Sequence, residues 1–198
     1  MAALLTQDAF SRALVAHDPR LIPTAVAPRR AAVAMLLRWE RAAPDALLMR
    51  RVHREDDRWS GHVSFPGGMA SEGDRDLLDT AIRETAEEVG VDLRASARLL
   101  GRCDDQIAIA RGRVLPMAIT PFVFAQTAPV SLELGPEAES AVWLPLDRVA
   151  SGELDTAYEY KLGPVPMRLP SWRYDGYTVW GLTHGMLSRL LTLVADPR

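Results

Sequence analysis

Between Gly67-Gly68 and Gly90-Val91 the chain carries the run Arg83-Glu84-Thr85-Ala86-Glu87-Glu88-Val89, the stretch that most constrains the fold. Leu77, Leu78, Ala81, Ile82, Thr85 and Val89 recur at helical spacing, which predicts a helix from about Asp76 to Val89 with one buried face. Gly90 stands where such a helix would end in a left-handed residue. Glu84, Glu87 and Glu88 fall at i, i+3 and i+4, so they share a helix face. Like charges at this spacing repel, at roughly 0.2–0.5 kcal/mol per pair. A hard divalent cation removes that cost, because Mg²⁺ and Mn²⁺ favour carboxylate oxygens and complete their coordination with water and substrate phosphates. Alone, the triad reads as a solvated acidic face, and only its flanks favour the metal.

Those flanks resemble the Nudix box, the strand–loop–helix–loop motif G-x5-E-x7-R-E-U-x-E-E-x-G-U in which U is apolar. Gly68, Arg83, Glu84, Glu87, Glu88, Gly90 and Val91 occupy its fixed places. Thr85 stands at an apolar position, and Arg83 follows Gly68 by fifteen positions where the motif has fourteen. Counted back from Arg83, Arg75 falls in the formal place of the loop acid, with Asp74 or Asp76 as the substitute.

The upstream segment narrows the resemblance. Leu47-Leu48-Met49-Arg50-Arg51 and Gly61-His62-Val63-Ser64-Phe65-Pro66-Gly67-Gly68 resemble the coenzyme A pyrophosphatase signature L-L-T-x-R-S/A-x3-R-x3-G-x3-F-P-G-G. Met49 replaces its Thr, Val52 its small residue, and Arg58 lies one place beyond its second arginine. Val179-Trp180-Gly181-Leu182-Thr183 resembles the start of the last helix in that group.

The resemblance implies an α/β fold of the Nudix type, an α/β/α sandwich around a mixed sheet. It also implies a pyrophosphohydrolase that uses Mg²⁺ or Mn²⁺ on coenzyme A or its derivatives, releasing 3′,5′-ADP and 4′-phosphopantetheine. The alternative is the same chemistry on a nucleotide sugar, ADP-ribose or a dinucleotide. A non-catalytic nucleotide-binding domain is a further alternative, although such domains typically lose box carboxylates. Glu84 and Glu88 are the expected metal ligands, with Glu87 completing the cluster or acting as the base. Arg83 would orient the carboxylates. Glu137, six residues before Trp143, matches the placement of a base recruited from outside the box, with Glu139 as fallback. Arg51 and Arg58 are candidates for holding a phosphate through bidentate contacts. Gly67 and Gly68 would let the backbone approach a diphosphate. His62 reads as structural, and Trp59, Tyr158, Trp172 and Tyr174 are candidates to stack on adenine.

Composition sets the remaining bounds. A chain of 198 residues with 48% hydrophobic and 25% charged content can bury the core of one domain. A net charge of −3 points to neither nucleic acid nor a membrane surface as the main partner, and the resemblance implies a small-molecule substrate. The single cysteine, Cys103, fits a reducing cytoplasm and reads as a packed or surface thiol. No apolar run approaches bilayer length and no secretory signal pattern opens the chain. Homodimers are common among members of the resembled family.

Residues 1–28 read as a short helix from about Gln7 to His17, capped by Thr6 or Asp8, and a proline-punctuated connector. The Nudix-like domain would span residues 29–198. Strands are expected at Ala31–Leu37, Ala46–Val52, His62–Phe65, Arg98–Cys103, Val114–Phe124 and Ser140–Leu144, with short strands across 156–180. A turn or helix is expected from Leu146 and a closing helix over Gly181–Ala195.

Overall fold

The computed structural model describes residues 5–54, 60–110, 113–161 and 166–196. The elements, in chain order, are α1 (Gln7–Ala16), β1 (Arg29–Arg38), β2 (Asp45–Arg51), β3 (Val63–Ser64), β4 (Gly67–Met69), α2 (Leu77–Val89), α3 (Leu93–Ser96), β5 (Ala97–Arg102), β6 (Gln106–Ala110), β7 (Arg113–Gln126), β8 (Ala138–Pro145), α4 (Leu146–Ala150), β9 (Asp155–Lys161), β10 (Pro166–Tyr174), β11 (Tyr177–Trp180) and α5 (Gly181–Ala195). Among the described residues, eight strands form a mixed sheet in which β1 and β7 run parallel at the centre. Antiparallel β2 extends it past β1, and β5 and β6 pair with β7. Strands β9, β10 and β11 form a separate antiparallel sheet.

The parity of the side chains explains the layers. Ala32, Ala34 and Leu36 of β1 pack with Leu47, Met49, Phe122 and Phe124 against α2. Their alternates Ala31, Met35 and Leu37 pack with Leu48, Val123 and Ala125 beneath α1 and α5. A central strand covered on both faces must be apolar at successive positions, which is why β1 reads as a continuous hydrophobic run. The resulting arrangement is the expected α/β/α sandwich on a mixed sheet.

Helix α1 is capped by the Thr6 side chain, which accepts from the Ala9 N–H at 3.2 Å. It buries Phe10, Ala13 and Leu14 in the same core as α5, so the N-terminal helix packs as a part of the sandwich. Phe10 meets Trp39 edge to face at 5.5 Å, and the Trp39 N–H donates to the Leu5 carbonyl. The connector is tied down by acids: Asp104 accepts from the Arg20 backbone and guanidinium, and Asp105 from the Ile22 N–H. Cys103 is buried, and burial pushes its thiol up to about 12, which suits packing and not nucleophilic attack.

Strand β6 and helix α3 were not legible as separate elements. Gln106–Ala110 is short and flanked by acidic residues, and its strand state is supplied by pairing with β7. No helix of the described residues is long and apolar enough to cross a membrane.

Candidate active site

Helix α2 starts at a side-chain cap, with the Asp76 carboxylate accepting from the Asp79 N–H at 2.8 Å. It ends at Gly90, whose φ of 72° and N–H bond to the Ala86 carbonyl form a left-handed stop. Thr85 donates its hydroxyl to the Ala81 carbonyl at 2.7 Å, which lets a polar residue occupy the apolar face fully buried. The loop before β8 covers the last turn: the Glu133 N–H donates to the Val89 carbonyl and the Gly135 N–H to the Glu88 carbonyl. These bonds satisfy carbonyls that a helix end leaves unpaired.

The three glutamates are not equivalent. The Glu87 side chain is 58% exposed, Glu84 is 16% exposed and Glu88 only 3%. The helix is rotated so that the acidic face turns partly onto the strand–loop carrying Gly67 and Gly68. Glu88 Oε2 accepts from the Gly67 N–H at 2.8 Å, and Glu88 Oε1 lies 3.4 Å from the Arg51 guanidinium. Burial, reinforced by the charges of Glu84 and Glu137, pushes the Glu88 carboxyl up to about 7 despite the Gly67 N–H and Arg51. Burial is also the main force raising Glu84 above the usual carboxylate range, opposed chiefly by Arg83. Glu88 also lies in the last turn of α2, where the helix dipole further disfavours negative charge.

Gly67 and Gly68 form an edge of the sheet as well as a turn, pairing with Val33 and Ala32 of β1. A Cβ on Gly67 would lie 2.3 Å from the Ala32 carbonyl oxygen, and its φ of +153° suits glycine. A Cβ on Gly68 would come within 2.6 Å of the Glu84 carboxylate oxygens, so glycine leaves that carboxylate its place.

The loop acid is Asp74. Its carboxylate accepts from Arg83 Nε at 2.8 Å, from a second Arg83 nitrogen at 3.0 Å and from the Thr80 hydroxyl at 2.8 Å. Asp76 instead caps the helix, and Arg75 pairs with Asp79. Arg83 also reaches Glu84 at 2.8 Å, Glu87 at 3.1 Å and the Met69 carbonyl at 3.1 Å. One guanidinium thus joins the loop, the strand edge and two helix acids. The side-chain bond from Arg83 is the main cause holding Asp74 well below the usual carboxylate range. That pairing contributes stability present above the ordinary value of 3.8 and lost as pH falls through the depressed one. Asp74→Asn is expected to cost about 1–3 kcal/mol at neutral pH. Urea unfolding at pH 3 and pH 6 checks this, since the loss should shrink on the acid side.

Arg51 sits between Glu88 and Glu137, at 3.4 and 3.6 Å. Glu137 also meets Arg54 at 3.3 Å, and its carbonyl accepts from the Val52 N–H at 2.9 Å, pinning β8's approach to β2. Glu139, by contrast, is half exposed beside Arg50 at 4.0 Å, away from this group. Arg51, Gly67, Gly68, Glu84, Glu87, Glu88 and Glu137 all line one cavity of about 2000 Å³. Arg83 stands behind the acids, and Arg58 and Trp59 lie outside the described residues. Among the described residues no three His, Cys, Asp or Glu side chains already converge as a metal cage, since Glu84 is turned to Arg83 and Glu88 to Gly67. The donor set nevertheless fits a hard cation. Two buried carboxylates whose ionised form is disfavoured would gain from an adjacent divalent charge more than solvated ones would.

The NUDIX domain profile matches residues 28–162. The chain belongs to the Nudix hydrolase family. It is 36% identical over 159 residues to an uncharacterized protein of Schizosaccharomyces pombe, covering 71% of this chain and about half, 48%, of that protein's length. It is 30% identical over 174 residues to human mitochondrial coenzyme A diphosphatase NUDT8, covering 85% of this chain and 70% of that one. The mouse NUDT8 protein is 28% identical over 85% of this chain and 79% of its own. Among solved structures, a MutT/nudix family protein from Enterococcus faecalis superposes with a TM-score of 0.54 at 17% identity, over 91% of this chain and 63% of that one. A C. elegans Ap4A hydrolase gives 0.51 at 19% identity, over 62% and 84%. At these identities the structural likeness is one of fold.

Other candidates from the Nudix reading are reassigned by their surroundings. Trp172 is buried, stacked on His184 at 4.0 Å with its N–H donated to Asp155, so it is core. Tyr174 lies beside Arg148, away from the cavity. Tyr158 stands behind Trp180, at 4.1 Å. The cavity is reached instead by Trp180, Tyr160 and His62. Gly135 also escaped the sequence reading: a Cβ there would lie 2.0 Å from the Glu87 carbonyl oxygen, so only glycine lets this loop close on α2. The Gly135-Pro136 pair just before Glu137 is the signal that marks it.

Proposed function

We propose that this protein is a metal-dependent pyrophosphohydrolase that cleaves the diphosphate of coenzyme A or its derivatives to 3′,5′-ADP and 4′-phosphopantetheine. The observation that carries the reading is the shared cavity. Glu84, Glu87, Glu88, Glu137, Arg51 and a glycine strand edge with little steric bulk face one volume large enough for a nucleoside diphosphate conjugate. Glu84 and Glu88 would hold Mg²⁺ or Mn²⁺, with Glu87 at the exposed side. Bound there, the cation would supply Lewis acidity toward phosphate oxygens and a more acidic water.

The chain's own residues account for the rest. Arg51 offers a guanidinium to a phosphate oxygen while already neutralising Glu88 and Glu137. Arg83 fixes the rotamers of Glu84 and Glu87 and makes no contact with the cavity's reacting volume. Glu137 is the proposed base: its half-exposed carboxylate faces the cavity and can take a proton from the water that attacks phosphorus. The anhydride P–O bond then breaks and the departing phosphate leaves as an anion. Glu87 is the alternative base.

Within this chemistry the names of two relatives favour coenzyme A, and one departure from the signature does not count against it. The NUDT8 proteins carry coenzyme A diphosphatase in their names. Met49, which departs from the signature, is fully buried against the α2 face and does not line the cavity. Product analysis with Mg²⁺ or Mn²⁺ on coenzyme A, ADP-ribose, UDP-glucose and diadenosine polyphosphates tests the proposal. Preferential formation of 3′,5′-ADP from coenzyme A is the expected result. Preference for another conjugate would keep the chemistry and overturn the substrate.

A further inference from the structure

The side of the cavity away from α2 carries an aromatic group that the proposed chemistry leaves without a role. Trp180, at the start of α5, has Tyr158 stacked on it at 4.1 Å with an interplanar angle of 14°. Tyr160 lies 5.4 Å from the indole at 41°, and His62 lies 4.7 Å from it at 56°. Trp180, Tyr160 and His62 line the cavity, whereas Tyr158 does not, so Tyr158 backs the indole from outside. Tyr158 and Tyr160 share a face of β9 because alternate residues of a strand point the same way. All three cavity-lining rings are partly exposed.

Chain length limits how far the shelf can stand from the carboxylates. His62 is five residues before Gly67, whose N–H binds Glu88. A strand advances roughly 3.3 Å per residue, so the two ends are at most about 17 Å apart. The Thr183 hydroxyl, three residues into α5, donates to the Val63 carbonyl at 3.0 Å and so locks Trp180's helix to the strand beside His62. A supported aromatic face at that range, sharing a cavity with phosphate-binding groups, suits the base of a nucleotide whose phosphate meets Arg51 and the glycine edge.

We propose that Trp180, flanked by Tyr160 and His62, is the base-stacking platform of this cavity and takes the base of a nucleotide. This rests on reading the cavity as a nucleoside diphosphate site. Trp180 is a specificity residue that sets affinity for the base and leaves the phosphate chemistry alone. Stacking on an aromatic ring is worth about 1–3 kcal/mol per base, which corresponds to about 5- to 150-fold in affinity.

The test compares AMP with ribose 5-phosphate, its base-free counterpart, by calorimetric titration with Mg²⁺ present. Neither contains an anhydride bond, so binding is read apart from cleavage. Trp180→Leu should weaken AMP by about 5- to 150-fold and leave ribose 5-phosphate unchanged, and Trp180→Phe should restore most of the loss. Tyr160→Leu, on a half-exposed strand position, should give a smaller loss confined to AMP and serves if Trp180→Leu does not fold. Coenzyme A hydrolysis run in parallel should show KM raised with kcat within about twofold. Unchanged AMP affinity, or an equal loss for both ligands, overturns the platform. A base-selective loss in a protein that hydrolyses no diphosphate would instead keep the platform and overturn the proposed function.

Discussion

Glu88→Gln is expected to lower kcat by at least about 10²–10³-fold while leaving the metal-free protein as stable as the parent or more so. The two halves have one cause. In the metal-free fold the Glu88 carboxyl, buried and close to Glu84 and Glu137, is pushed from 4.5 up to about 7. A carboxyl with a raised folded-state value binds its proton more tightly when folded. Its contribution to stability is therefore present below about 4.5 and lost as pH rises through about 7. The shift corresponds to roughly 3 kcal/mol at neutral pH. Glutamine keeps the shape and can still accept the Gly67 N–H, yet carries no charge to desolvate. It also provides a poorer ligand for a hard cation, so the proposed chemistry fails. Urea unfolding between pH 5 and pH 8, with EDTA and with Mg²⁺, checks the first half. The parent should lose stability with rising pH in EDTA and regain it with Mg²⁺, and the variant, which keeps Glu84, should show a smaller response to each. Single-turnover cleavage checks the second. A variant that cleaves as well as the parent would refute the role given to α2.

Gly67→Ala is expected to be among the most damaging single methyls at the described glycines. The added carbon would meet the Ala32 carbonyl oxygen at 2.3 Å and Val33 Cα at 2.6 Å, both backbone atoms of a central strand that cannot swing aside. The backbone angle adds strain to this overlap. Together these predict a loss of about 3–5 kcal/mol, with hydrolysis falling in step because the Gly67 N–H would leave Glu88. Gly176→Ala is the matched control. Its φ is +76° but nothing lies within 4 Å of the new carbon, so strain alone remains, about 1–2 kcal/mol. Equal losses in the two variants, measured by urea midpoint, would show that backbone angle and not close approach fixes Gly67.

The two outcomes bear on different parts of the same device. Gly67 sets how closely β4 approaches β1, and that approach delivers the N–H that holds Glu88. Arg83 performs the equivalent task for Glu84 from the other side, through Asp74. Arg83 and Asp74 hold the site without lining the cavity, whereas Gly67 does both, so stability and activity should be separable at Glu88 but not at Gly67.

Local chemistry alone determined much of this protein. The periodicity of Leu77, Ala81, Thr85 and Val89 and the Gly90 stop specify α2 without help from the rest of the chain, since a helix is written in residues three and four apart. The unbroken apolar run of β1 likewise declared a strand covered on both faces. The box spacing, with its resemblance, then fixed the family. The tertiary structure decided what depends on distant partners. It gave Asp74 to Arg83 and left Asp76 as a cap, because only the folded loop sets which carboxylate reaches the guanidinium. It ranked three sequence-equivalent glutamates by burial, since their exposure depends on how α2 is rotated over Gly67 and Gly68. It took Trp172 and Tyr174 out of the cavity and put Trp180 and Tyr160 in. Their places follow from how β11 and α5 dock on β3, as where Thr183 bonds the Val63 carbonyl, and such contacts join residues far apart in the chain that no local pattern records.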